Sequence, residues 1–292
     1  MIRLFVSDID GTLLNKQAQL GEEEAAIIKK MQNEGIIFML ASGRNNYKAT
    51  LVVERKGLKC PSICLNGAAI YSAEKEKISA HYLPIEAVDK IHQLSLETKT
   101  ILAFHANESI YSIYSQNDVD TYFADWQKTK TGYQNSYADL SDCWFNVDMK
   151  KEIDYSFIRN EKPLKAEFIF CKNEAKEYIT DSLQQEFNLN ICGSGFVNNL
   201  EITSVEAEKG KAIRDYCKLF NIQDDEVAVI GDSDNDVGMF KEYPKYSFAM
   251  GNSPDHVKRE AAFVTLDNDS HGFLKAAEKI LQLNEGDSDG KK

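Results

Sequence analysis

The stretch FVSDIDGTLL, residues 5–14, ends an apolar run with two acids one residue apart and follows them at once with Gly-Thr. Three more polar clusters stand at comparable points. Ser42, Gly43 and Arg44 follow IIFMLA, Lys209 and Gly210 open an amphipathic stretch, and Gly231-Asp232 with Asn235-Asp236 follow EVAVI. Crowded carboxylates repel, so Asp8, Asp10, Asp232 and Asp236 imply raised pKa values or a bound cation. An oxygen donor set with so few dedicated ligands suits Mg²⁺, which keeps water and takes further oxygens from a phosphate. Ser42, Lys209 and backbone N–H groups after Asp8 would hold the remaining phosphoryl oxygens. The chemistry open to this set is phosphoryl transfer. A carboxylate attacking phosphorus gives an aspartyl phosphate, and an acid two residues on can protonate the leaving alkoxide and then activate water. Asp8 is the expected nucleophile and Asp10 the expected acid/base. Gly11 allows a sharp turn beside the phosphate, and Thr12 is expected to hydrogen-bond within that turn and hold Asp10 in place.

Each feature alone has a blander reading. Asp10-Gly11 is an ordinary turn signal, and Asn66-Gly67 in SICLNGAAIYS reads as a hairpin turn whose place beside the crevice also permits a substrate contact. DSDNDVG from Asp232 resembles the start of a calcium loop, but Val237 stands where that loop needs Gly and Tyr243 where it needs Glu. Ser253-Pro254 reads as a helix N-cap with Pro at the first helical position, leaving Asn252 as a connector. A lone Lys209 would be a solvated helix residue. Four clusters in order, each at a strand or helix end, outweigh these readings together.

Positioning them requires a parallel sheet. Residues 2–7, 35–41, 62–65, 226–231 and 246–250 are apolar, largely β-branched or aromatic runs, separated by amphipathic stretches near 21–34, 45–56, 209–220 and 234–241. This pattern predicts an α/β, Rossmann-like, doubly wound parallel sheet, whose ligands bind outside the carboxyl ends of the strands. Between Pro84 and Leu189 the pattern changes to a helix over 85–98, paired strands around 101–104 and 110–114, and a strand-helix-strand at 166–192, as in an inserted α+β domain. The expected organisation is therefore a discontinuous core, 1–83 and 190–283, resuming at residues 196–203, with a cap at 84–189 and a disordered tail at 284–292.

The chain has 292 residues, 43% of them hydrophobic and 27% charged, enough for one large or two ordinary domains. A formal charge of −12 argues against nucleic acid or an anionic membrane as partner, because such binders neutralise phosphates with basic surface. No apolar run approaches a membrane span and the N-terminus lacks the pattern of a signal peptide, so a cytoplasmic location is expected. The cysteines Cys60, Cys64, Cys143, Cys171, Cys192 and Cys217 lack zinc-ligand spacing and read as buried reduced thiols. The N-x-S sequences at Asn107 and Asn268 carry little meaning without secretion.

D-x-D-G-T-L at Asp8, S-G-R at Ser42, K-G at Lys209 and G-D-x-x-N-D at Asp232 resemble the four ordered motifs of the haloacid dehalogenase superfamily. LNGA at 65–68, LEI at 200–202, AMGN at 249–252 and VT followed by NDSHGF at 268–273 further resemble its Cof-type, class IIB sugar-phosphatase branch. The resemblance covers essentially residues 1–283, with the motifs confined to the core. It implies a Rossmann-like core, a large α/β cap inserted after the third core strand, and Mg²⁺-dependent hydrolysis of small phosphomonoesters. Carried over by residue, it implies Asp8 as nucleophile and metal ligand, Asp10 as acid/base and ligand through its carbonyl, and Asp232 as third ligand, with Asp236 orienting them. Ser42 and Lys209 would bind the phosphoryl group, and Arg44, Asn235 and Asn252 would complete the phosphate and metal neighbourhood. Two departures stand out: the acidic SVEAEKG before Lys209, and His271 where the family often has an acid.

The competing readings are a phosphomutase or dehalogenase using the same nucleophile, and a receiver-like phosphoprotein. Asp10 counts against the dehalogenase, which has no use for an acid there, and against the receiver, whose phosphorylated form must persist. The expected partner is a small phosphorylated metabolite; the sequence is silent on which one and on oligomeric state.

Overall fold

The computed structural model describes residues 1–106, 109–128, 148–194 and 198–289. Cys143, the sequon residue Asn107 and the last three residues of the tail lie outside the described residues. Two compact units form, one from Met1–Ala80 with Glu206–Lys292 and the other from His81–Val205.

In the first unit the strands β1 (Leu4–Ser7), β2 (Ile37–Ala41) and β3 (Ser62–Cys64) alternate with the helices α1 (Glu22–Asn33) and α2 (Asn46–Glu54). A hairpin then adds β4 (Ala69–Tyr71) and β5 (Lys77–Ala80). After the second unit, the helix α7 (Lys209–Phe220), the strands β12 (Val227–Gly231), β13 (Ser247–Ala249) and β14 (Phe263–Val264), and the helices α8 (Val237–Glu242), α9 (Asp255–Lys258) and α10 (Gly272–Asp289) complete it. The sheet order is β14-β13-β12-β1-β2-β3-β4-β5, parallel through β3 and antiparallel beyond. β1 pairs with β2 on one side and β12 on the other, Val6 lying between Met39 and Val229.

Both faces of this sheet are covered, which is why the strands read as continuous apolar runs. Leu4, Val6, Met39 and Val229 face Ala212, Ile213 and Tyr216 of α7 and Met239 and Phe240 of α8. On the other face Phe5 stacks on Phe273 of α10 at 5.5 Å between ring centres, and Phe38 meets both edge-on.

In the second unit β6 (Leu102–Ala106), β7 (Ser109–Tyr111), β8 (Met149–Lys150), β9 (Lys165–Phe168), β10 (Leu189–Ser194) and β11 (Asn199–Ser204) form a sheet in the order β10-β11-β9-β6-β7-β8. The helices α3 (Ile85–Thr98), α5 (Tyr155–Asn160) and α6 (Asn173–Glu186) contribute Ile91, Ile158 and Ile179 to the cluster on one face, and α4 (Gln116–Lys128) contributes Val119 and Trp126 to that on the other. That second face also buries Lys165 against Glu167 at 3.0 Å and Glu201 at 3.2 Å. Burial alone would raise the Glu167 carboxyl; Lys165 and His105 together outweigh it and hold the group down to about 2.

Both expected boundaries move outward. β11 does not resume the core: it pairs antiparallel with β9 and β10 and sends Leu200 and Ile202 into the second unit's apolar cluster. Leu83 also belongs there, its N–H donating to the Pro163 carbonyl at 2.9 Å. The LEI stretch alternates apolar and polar residues as a strand of either sheet would, and local pattern alone does not say which sheet it joins. Among the thiols, Cys192 on β10 is exposed, whereas Cys60, Cys64, Cys171 and Cys217 are buried. The expected tail is also corrected: α10 runs on through Asp289. Asn284 anchors it, accepting the Ile2 N–H at 2.6 Å and donating to the Ile2 carbonyl at 2.9 Å. A polar composition reads as disorder when the backbone partner, here 282 residues away, is not visible in the sequence. Asn284→Ala should lower stability by about 1–3 kcal/mol, the net worth of two such bonds, read as a lower urea midpoint with unchanged slope.

Candidate active site

Because β12, β1 and β2 are neighbours, the residues after each strand emerge side by side at one edge of the sheet. After β1 comes a wide turn, Ile9–Leu13, closed by Leu14 N–H donating to the Ile9 carbonyl at 3.0 Å. Inside it Gly11 takes φ +82°, and a Cβ there would lie 2.4 Å from Asp232 Oδ2, so conformation and space both demand glycine.

Lys209 lies at the centre, 1% exposed, its ammonium 2.7 Å from Asp8 Oδ1 and 2.7 Å from Asp236 Oδ1. The remaining oxygen of Asp236 accepts the N–H groups of Asp232 at 2.9 Å and Ser233 at 3.1 Å. Asp236 is thus saturated and fixes both the ammonium and the start of the loop after β12. Thr12 differs from expectation: its hydroxyl donates to Asp232 Oδ1 at 3.0 Å and so ties the first motif to the fourth instead of holding Asp10. Asp10 is held by Arg44, whose Nε donates to Oδ2 at 2.8 Å and whose Nη2 donates to Oδ1. The sequence places Arg44 in the phosphate and metal neighbourhood and carries no signal for this pair.

The remaining predicted residues converge here too. Ser42 Oγ accepts the Arg44 N–H at 3.2 Å, and its carbonyl accepts that of Asn66 at 3.0 Å. Asn66 occupies the tip of the β3–β4 hairpin in the left-handed region, at φ 59°. Its side chain lies over Gly43, where a Cβ would meet Oδ1 at 3.0 Å, and accepts from Asn235 Nδ2 at 3.3 Å. Both readings of Asn66-Gly67, hairpin turn and crevice residue, therefore describe one place. Asn252 donates to the Gly11 carbonyl at 2.9 Å, and its Oδ1 accepts the N–H of Asn268 at 3.1 Å. Asn268 in turn donates to the Leu14 carbonyl at 2.8 Å. In sequence Asn268 belongs to the NDSHGF stretch and to a sequon, and neither signals this role. Ser253 does not cap a helix; α9 starts two residues later and the Ser253 hydroxyl is buried.

Asp8, Asp232 and Asp236 each place a carboxylate oxygen within 4.8 Å of the others, the one cluster of this kind among the described residues. Burial, then the charges of Asp236 and Asp232, hold Asp8 well above the usual carboxylate range although Lys209 pulls the other way. Asp232 is pushed up to about 6, first by burial and next by Asp236. Lys209 is held above the ordinary lysine value because Asp236 and Asp8 outweigh its burial. Three carboxylates face one ammonium, an excess of two negative charges. Among the described residues no hydrogen bond engages Oδ2 of Asp8 or of Asp232. A divalent cation taking oxygen donors fits this set in both charge and chemistry.

The profile of the haloacid dehalogenase-like hydrolase family matches residues 5–276. The chain belongs to that family. A phosphatase of Bacillus subtilis, YwpJ, is 28% identical over 96% of this chain and 100% of its own length. The 5-amino-6-(5-phospho-D-ribitylamino)uracil phosphatase YwtE of the same organism is 26% identical over 94% of this chain and 96% of its own. The solved structure of a subclass IIB sugar phosphatase of the superfamily, 20% identical, shares the fold with a TM-score of 0.72 over 95% of this chain and 98% of that one. The protein is accordingly an enzyme of phosphatase type. No helix among the described residues is long and apolar enough to cross a membrane.

His271, the departure from the family pattern, has a partner. Its Nδ1 lies 2.7 Å from the nearly buried Glu24 of α1 and 3.5 Å from Glu23. The hydrogen bond and charge of Glu24 hold the imidazole above its ordinary value of 6.5. An imidazolium just before the N-terminus of α10 opposes that helix's dipole, and the glutamates offset it. A histidine raised in the folded state contributes stability below its unfolded pKa and loses it as pH rises through the folded one. NMR titration should place His271 above 6.5, and Glu24→Gln should bring it down; an unchanged midpoint would show that the pair contributes nothing.

Proposed function

We propose that the enzyme hydrolyses small phosphomonoesters, sugar phosphates first, through an aspartyl phosphate on Asp8 with Mg²⁺ bound beside it. The observation that carries this reading is the pairing of a buried carboxylate at the end of β1, its oxygen fixed 2.7 Å from Lys209, with a second, exposed carboxylate two residues on. Lys209 holds Asp8 by one oxygen, which leaves the other to attack phosphorus. Its ammonium also screens Asp8 from the incoming phosphate. Asp10 protonates the leaving alkoxide and then takes a proton from the water that cleaves the acyl phosphate. Ser42, Gly43, Arg44, Lys209, Asn235 and Asn66 stand around the place where phosphoryl oxygens would lie, as donors or as open backbone.

Asp8, Asp232 and the Asp10 carbonyl would hold the Mg²⁺, oriented by Asp236. When bound, that ion would neutralise the excess negative charge and stabilise charge on the transferring phosphoryl oxygens. An all-oxygen donor set favours a hard cation over zinc or copper. The phosphomutase reading uses the same groups and is separated by a requirement for a bisphosphate.

Substrate size follows from charge. With −12 overall, the molecule repels polyanions, so small phosphorylated metabolites are favoured over nucleic-acid ends. The substrates named for YwtE and for the subclass IIB neighbour, a phosphorylated ribityl compound and sugar phosphates, are of this class.

Asp8→Asn should abolish turnover, and Asp10→Asn should lower kcat by about 10²- to 10⁴-fold; near-normal kcat in either folded variant rejects the assignment. Chelation should remove activity and Mg²⁺ restore it. Independently of turnover, Mg²⁺ at about a hundred times its Kd should stabilise the fold by about 2.7 kcal/mol, an effect Asp232→Asn should remove. Hexose and pentose phosphates should exceed a phosphopeptide and a 5′-phosphorylated oligonucleotide in kcat/KM; a macromolecular winner rejects the substrate class.

A further inference from the structure

The turn that carries Asp10 is held from outside. Asn252 donates to the Gly11 carbonyl at 2.9 Å and Asn268 to the Leu14 carbonyl at 2.8 Å, while the Asn268 backbone N–H donates to Asn252 Oδ1 at 3.1 Å. Two asparagines, linked through the backbone of one, thus grip the chain one residue and four residues after Asp10. The grip is itself anchored. The Met250 N–H donates to the Gly231 carbonyl at 3.0 Å, tying the segment that carries Asn252, three residues beyond the end of β13, to the end of β12. Gly251 donates to the Leu266 carbonyl at 2.9 Å and leaves no room for a Cβ, which would lie 2.7 Å from Asp267 N. On the far side Lys16 pairs with Asp269 at 2.9 Å, and His271 with Glu24 at 2.7 Å.

Asp10 needs this more than Asp8 does. Asp8 is fixed through its own buried side chain by Lys209, whereas Asp10 has 58% of its side chain exposed and meets Arg44, a long and partly exposed arm. Where Asp10 lies is therefore decided mainly by its backbone, and Gly11 next to it, at φ +82°, is free of the restraint a side chain would impose. Errors of about 1 Å in the placement of a reacting group can cost about 10²-fold.

We propose that Asn252 and Asn268 are positioning residues for Asp10, clamping its turn so that the carboxyl reaches the leaving-group oxygen. The proposal rests on the reading of Asp10 as the acid/base, and it moves Asn252 from the phosphate to the turn. The clamp bears on proton delivery to the leaving group, while the phosphoryl oxygens are gripped by other residues.

The experiment compares kcat/KM for 4-nitrophenyl phosphate, whose leaving group departs with little help, and phenyl phosphate, which needs a proton. Asp10→Asn gives the reference, a loss concentrated on phenyl phosphate. Asn252→Ala, and Asn252→Asp, which keeps the shape but loses the donor, should shift the ratio the same way by about tenfold, as partial loss of general-acid catalysis does. Asn268→Ala should shift it less, since one of the two grips survives. The Ki of inorganic phosphate should stay within about threefold of the parent's, a binding change under 1 kcal/mol. Equal losses on the two esters, or a large rise in the phosphate Ki, would make Asn252 a structural or phosphate-binding residue and overturn the proposal. If Asp10→Asn itself shows no dependence on leaving group, the acid assignment falls and the clamp with it. If Asn252→Ala fails to fold, Asn252→Asp and Asn268→Ala carry the same comparison.

Discussion

An ammonium buried between two carboxylates sets the terms for the first unit. Lys209 is 1% exposed, and Asp236, 2.7 Å away, has no exposed surface. Removing one member of such a set strands the others, at a cost of about 3–5 kcal/mol. The three groups come from the start of α7, the end of β1 and the loop after β12, so satisfying them fixes those elements mutually. Glycines make the approach possible. A Cβ on Gly231 would lie 2.4 Å from Asp236, one on Gly210 2.6 Å from the Gly238 carbonyl, and one on Gly67 2.5 Å from the Glu208 backbone. The acidic SVEAE before Lys209, a departure from the family pattern, ends in that Glu208, whose backbone the LNG hairpin tip packs against.

The sheet order turns this local arrangement into a site. In a chain that leaves β1 for β2 and later places β12 on the opposite side of β1, the residues after three sequence-distant strands become neighbours. Asp8, Ser42 and Asp232 need no long-range recognition beyond strand pairing to meet. What pairing cannot supply is fine position, and that falls to cross-links between loops: Thr12 to Asp232, Arg44 to Asp10, Asn235 to Asn66, Asn252 to Gly11.

This division accounts for what the sequence made legible. The buried strands announced themselves because β1, β2 and β12 are covered on both faces, and the four motifs stood out because carboxylates at strand ends are costly unless they have a use. The cross-links were not legible, since an Asn or Arg carries no mark of which backbone carbonyl or carboxylate it will face across more than 30 residues of chain. In sequence, accordingly, Thr12 points only to its own turn. The boundary at β11 failed for a related reason. NLEITS alternates as a half-buried strand should, but its partners β9 and β10 lie upstream, and an isolated strand does not declare its sheet.

The two acids of the opening motif end up in opposite environments although one residue separates them. The side chain of Asp8 is 7% exposed and that of Asp10 58% exposed. A strand followed by a wide turn explains the split: the last extended residue points back under the sheet edge toward Lys209, and the chain then swings Asp10 outward before Gly11 reverses it. Desolvation raises Asp8 and leaves its ionised form dependent on cationic neighbours. A carboxylate so placed, stripped of water but held at one oxygen by an ammonium, is what a nucleophile toward phosphorus requires. A carboxyl reached by solvent is what exchange of protons with water requires. One four-residue strand and one glycine turn thus sort two chemically identical side chains into the two roles that the proposed hydrolysis needs.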